Sequence, residues 1–145
     1  MNPQDLETKI ELQMRTLRIL WFALCMSIVF YFIVTLIVER APDLGPNNVL
    51  LYVLVGTSVT TTLQSFLIKK ALLNRAFAQQ QVQMVQQSYI VTWAVTEVGA
   101  LLGLVIFFTT NSPYYFLPMV VSLLGQLLHF PRRDHVINAT FKNTM

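Results

Sequence analysis

The stretch Trp93–Val105, WAVTEVGALLGLV, places one carboxylate, Glu97, inside an otherwise uncharged run. A carboxyl group there has two chemical uses. It can accept hydrogen bonds from groups on neighbouring helices and clamp them together, or it can hold a proton or a cation. Donors of suitable type recur in the other apolar runs. Ser122, Gln126 and His129 share one helical face late in the chain, with Ser122 level with Glu97 and Gln126 about one turn away. Thr57, Thr60, Thr61 and Gln64 line another helix, with Thr61 near the same depth. The candidate ion or polar-clamp site is therefore Glu97, Ser122, Gln126 and Thr61. As a clamp, each interhelical bond is worth about 0.6–2 kcal/mol.

The same helix carries small residues in register: Thr92, Thr96, Gly99 and Gly103. Gly99 and Gly103 form a GxxxG pattern, which lets two backbones approach closely. At 100° per residue this packing stripe lies to one side of Glu97. The stripe serves equally for packing within one chain or between two copies. Arg132 and Arg133, in the run Arg132-Arg133-Asp134-His135 just past the last apolar run, suit either a lipid headgroup phosphate or a plain positive-inside anchor. No nucleophile stands with a base and an orienting group, and no glycine loop is built to cradle phosphates. Cys25, Glu97, His129 and His135 lack metal-ligand spacing. The expectation is no enzyme, no cofactor and no metal.

These residues need helices to position them, and the composition says of what kind. The 145 residues are 54% hydrophobic and only 12% charged. A soluble domain of this length has no interior large enough for so much apolar surface. Four apolar runs stand out, at 17–38, 49–68, 89–108 and 114–130. Each is close to the roughly 20 helical residues that cross a 30 Å hydrocarbon core. Lipid leaves a free backbone N–H or C=O unsatisfied, so the spans must be helical. On a helix rising about 1.5 Å per residue, Glu97 lies about 12 Å into the third span.

Nine of the ten Lys and Arg residues fall in the amino-terminal segment, the middle connector or the tail; Arg40 is the exception. That bias predicts both ends and the connector on the cytoplasmic side of a cell inner membrane. The connector, residues 69–88, contains no Gly or Pro and is rich in Ala, Gln and Leu. It predicts a helical hairpin extending spans two and three. Leu6, Ile10, Met14 and Leu17 recur at helical spacing ahead of the first span, which they extend. The fold expected is all-α: one integral membrane domain, residues 1–145, a four-helix bundle with helical cytoplasmic extensions. The net charge of +3 matches anionic lipid, and no aromatic-basic motif suggests nucleic acid. The expected partners are the lipid bilayer and another membrane protein or a second copy.

Two family resemblances attach to these residues. Ala94-x-x-Glu97 followed by Gly103-Leu104-Val105 is similar to the carboxylate helix of the rotary ATP synthase c subunit. In that family the carboxylate carries the translocated proton or sodium ion, which would make Glu97 an ion site. The overall layout resembles the ATP synthase accessory I chain, a small four-span protein with a glutamate early in span three. Phe116-Leu117-Pro118 and Gln126 match its fourth span. This resemblance implies an assembly or ion-supplying accessory role. The function expected is thus a non-enzymatic accessory, assembly or structural subunit, with a small proton or cation conductor using Glu97 as the alternative.

Overall fold

The computed structural model describes residues 3–39, 48–110 and 112–140, with side chains from Glu7 onward. Arg40 and Lys142, counted in the charge bias, lie outside the described residues, as does Asn111. Among the described residues five α-helices follow one another: α1 Pro3–Ile37, α2 Asn48–Gln79, α3 Val82–Thr109, α4 Phe116–Leu128 and α5 Arg133–Thr140. A 3₁₀ turn, Pro113–Tyr115, leads into α4, and no strand occurs among the described residues. α1, α2 and α3 are each long and apolar enough to cross a membrane. Their 35, 32 and 28 residues rise about 52, 48 and 42 Å, so each extends well past a 30 Å core.

The fourth apolar run departs from expectation. Its α-helix has 13 residues, about 20 Å, shorter than the hydrocarbon core. Both ends have local causes. Ser112 Oγ accepts a hydrogen bond from the Tyr114 amide and Pro113 opens the 3₁₀ turn, which delays the α-helix. Pro131 cannot continue a helix and disfavours α geometry at Phe130, so the chain leaves the helix at His129. Beyond it α5 folds back, an element that the polar tail did not announce.

α3 is the central helix, and it packs against α2, α4, α1 and α5. α1 lies against α3 and α4. The interior has two distinct parts. At the hairpin end an apolar cluster joins Ile10, Met14 and Leu17 of α1, Leu73 and Ala76 of α2, and Val85, Tyr89 and Trp93 of α3. Val136 and Ala139 of α5 close it. Most of these residues lie beyond the apolar runs, where burial of a large aliphatic side chain contributes about 1.5–3 kcal/mol. Within the apolar runs small and polar residues join the interior, Ser58, Thr62, Ser65, Thr92, Thr96, Ser122 and Gln126, beside larger buried side chains such as Ile28, Ile106, Phe107 and Met119.

The hairpin turn is tight. Gln80 has φ 52°, the left-handed region, and only Gln80 and Gln81 separate α2 from α3. The Gln81 amide donates to Ala76 O at 3.1 Å and the Gln80 amide to Phe77 O at 3.3 Å. These are the two bonds of a Schellman motif, with glutamine where glycine is usual. A side chain in this conformation costs about 1 kcal/mol or more. Gln80→Gly should therefore stabilise the protein by about 0.5–1 kcal/mol, and Gln80→Val should destabilise it. Thermal unfolding in detergent measures both, and an unchanged midpoint for both variants would show that the turn is unstrained.

Candidate functional site

Glu97 is tied to α1. Its Oε1 accepts hydrogen bonds from Ser27 Oγ at 2.6 Å and from Tyr31 Oη at 2.8 Å. Ser27 and Tyr31 are four residues apart, so they share one face of α1 opposite the carboxyl group. Ser27 Oγ also lies 2.8 Å from Leu24 O, so its single proton has two acceptors within reach. The Glu97 side chain is half-buried, between the α3 packing stripe and the outer face of the bundle.

The other residues grouped with Glu97 from the sequence go elsewhere. Thr61 donates to Ser58 O in its own helix. Ser122 and Gln126 are fully buried in the seam between α2, α3 and α4, and their recorded contacts do not include Glu97. Ser122 Oγ, both polar atoms of the Gln126 amide, Thr62 Oγ1 and His129 Nδ1 have no hydrogen-bond partner among the described residues. The difference from expectation is rotational: α4 meets the glycine side of α3 and α1 meets the glutamate side. Ser27 and Tyr31 carried a usable signal, since they lie about as far into span one as Glu97 does into span three.

Thr92, Thr96, Gly99 and Gly103 are all buried and face the chain's own helices. A β-carbon on Gly99 would come within 2.6 Å of Ser58 Oγ on α2 and closer still to Ser122 Oγ on α4. One on Gly103 would meet Met119 Cγ at 2.7 Å and Tyr115 O at 3.0 Å. Gly125 of α4 reciprocates against Thr62 and Thr96. Thr92 bonds to Ser88 O and Thr96 to Thr92 O in their own helix, while Ser58 Oγ reaches across to Pro118 O at 3.4 Å. These residues serve mainly as small surfaces that admit the neighbouring helix.

Two indoles finish α4. Trp21 Nε1 of α1 donates to Gln126 O at 2.8 Å, and Trp93 Nε1 of α3 donates to His129 O at 3.1 Å. Carbonyls at a helix C-terminus lack intrahelical partners, and these bonds supply them. Both tryptophans thus hold the bundle together. His129 Nε2 lies 2.7 Å from Ser65 Oγ, which ties the same end of α4 to α2.

A second polar cluster sits at the hairpin end around Tyr89. Its hydroxyl accepts from the Arg132 amide at 3.0 Å and lies 2.6 Å from His135 Nδ1. The hydroxyl keeps a second lone pair, so the proton shared with Nδ1 belongs to either partner according to the His135 tautomer. Lys69 Nζ stands 4.5 Å over the Tyr89 ring. Arg133, paired with Arg132 in the sequence reading, turns outward to Glu7 Oε1 at 3.4 Å. Lys69 and Tyr89 were not joined to Arg132 and His135 in the sequence because they come from separate elements. Among the described residues, no group of three His, Cys, Asp or Glu side chains forms a metal cluster.

Two outcomes follow from this geometry. Gly99→Ala should destabilise the bundle by about 1–3 kcal/mol. Adding Ser122→Gly should recover part of that, while Gly56→Ala, with nothing within 4 Å, should not destabilise. Denaturation of the three variants in detergent reads the difference. Burial first, then the charges of Lys69 and Arg132, hold His135 below the usual histidine range, against an opposing pull from Asp134. Released α5 then binds a proton more readily than docked α5, so docking is full above about pH 7 and weakens as pH falls below about 6.5. Amide exchange of residues 133–140 should accelerate over that window, and His135→Gln should remove the acceleration. No protein-family model, curated protein or solved structure matches the chain, so its function is read from the geometry.

Proposed function

We propose that the chain is an integral protein of the cytoplasmic membrane that acts as a non-enzymatic accessory, assembly or structural subunit of a membrane complex. It crosses the bilayer four times, with both ends and the hairpin in the cytoplasm. The cation bias supports that orientation. A fourth crossing requires α4 to be counted with its 3₁₀ turn, together about 26 Å. Tilt and local thinning accommodate such a shortfall.

The observation that carries the reading is the attachment of Glu97 to α1. The intramembrane carboxyl group receives two hydroxyls from a single neighbouring helix and fixes how α1 lies on α3. The outer side of α1 exposes Phe22, Met26, Phe30, Ile33 and Ile37, an apolar surface suited to lipid or to a partner's helix. The likeness to the ATP synthase accessory I chain is in keeping with a partner of the rotary ATPase class.

One observation favours the alternative, a small proton or cation conductor. The site fits either protonation state. A carboxylate accepts from Ser27 and Tyr31, whereas a carboxylic acid can donate to Ser27, whose own proton then goes to Leu24 O. Glu97→Gln separates the two readings because the amide oxygen still accepts from both hydroxyls. As a clamp, the variant should fold, co-purify with the same stoichiometric membrane partner and leave the ion permeability of proteoliposomes unchanged. Wild-type proton or sodium flux that disappears in Glu97→Gln would overturn the accessory role.

A further inference from the structure

We infer that Lys69, Arg132 and His135, arranged around the ring of Tyr89, form a binding site for the phosphate of an anionic lipid headgroup. Three elements converge there: the end of the α2 apolar run, the first residues after α4 and the start of α5. Tyr89, fully buried, is the hub. Its ring carries Lys69 at 4.5 Å, and its hydroxyl fixes the Arg132 backbone and His135.

The charge balance calls for an anion. Lys69 and Arg132 are close enough to repel each other, and both act on His135. Among the described residues the recorded ion pair is Arg133 with Glu7, so neither Lys69 nor Arg132 has a carboxylate partner. Asp134 acts on His135 but forms no recorded ion pair with either cation. Two cations gathered without a counter-charge are stabilised by an anion between them. The donors also fit phosphate: an ammonium, a guanidinium and the His135 imidazole.

The surroundings select a lipid. Lys69 directly follows the apolar run ending at Ile68, and Arg132 comes two residues after Phe130. Phe66, Leu67 and Phe130, the apolar residues just before these cations, are exposed. A ligand with a phosphate head and acyl tails matches both halves at once. This assignment keeps Arg132 and His135 of the run read from the sequence, releases Arg133 and adds Lys69.

The test uses the full chain, delipidated in neutral detergent, with its unfolding temperature followed as phosphatidylglycerol, phosphatidylcholine or inorganic phosphate is added. Phosphatidylglycerol should protect at concentrations at which phosphatidylcholine does not. Lys69→Gln and Arg132→Gln should each weaken that protection about fivefold, on the order expected for one cation near a charged surface. Lys69→Arg should retain it. Lys70→Gln and Arg133→Gln, which remove the same charge from exposed positions, should leave it intact. Protection by phosphatidylglycerol but not by inorganic phosphate assigns the lipid headgroup, and equal protection by inorganic phosphate assigns a soluble phosphate to the same cations. Protection by neither, or equal losses in the Lys70 and Arg133 controls, would overturn the site.

Discussion

Apolar side chains gain about 25 cal/mol for each Å² withdrawn from water, and almost nothing when withdrawn from lipid tails that are equally apolar. The interior of this protein changes along its length. Toward the hairpin end, α1, α2, α3 and α5 bury Ile, Leu, Met, Val, Tyr89 and Trp93 against one another. Within the apolar runs, many large apolar residues such as Phe22, Phe30, Leu63 and Leu67 are turned outward, while buried serine, threonine and glycine line the seam between α2, α3 and α4. Close approach of helices is the attraction that remains available there. Gly99, Gly103 and Gly125 provide it by admitting Ser58, Ser122, Met119 and Thr62 to distances that a β-carbon would forbid.

Directional bonds then settle the parts that packing leaves loose. α1 contacts the bundle less extensively than α2 and α3 contact each other. Its position is defined by specific donors: Ser27 and Tyr31 toward Glu97, and Trp21 toward Gln126 O. α4, too short to lie firmly by area alone, is held at its C-terminal end by two indoles and by the Ser65–His129 contact. The Glu97 clamp and the small-residue stripe belong to one design on α3. They occupy different sides of the helix, so the carboxyl group fixes α1 without disturbing the contact with α2 and α4.

Helix type and approximate extent were legible because composition and the lengths of the apolar runs leave few alternatives. The hairpin was legible from its helix-forming residues, but its turn was not, since Gln80 takes a position where glycine would have been the signal. The fourth helix was overestimated because hydropathy does not register that Pro113 and Pro131 shorten it from both ends. The helical tail was hidden by its polarity: Val136 and Ala139 are its fully buried residues. For the site, the residue pattern settled neither which helix stands beside which nor how each is rotated. Depth put Ser122 level with Glu97, whereas rotation put it against Gly99.

The short tail helix carries a consequence for biosynthesis. Val136 and Ala139 complete a cluster whose first members, Ile10, Met14 and Leu17, are made more than a hundred residues earlier. Until α5 is made, that side of the cluster stays uncovered. Helices α1, α2 and α3 are therefore synthesised before the surface they share at the hairpin end can close. Among the described elements α5 is the latch, added after the parts that it fastens.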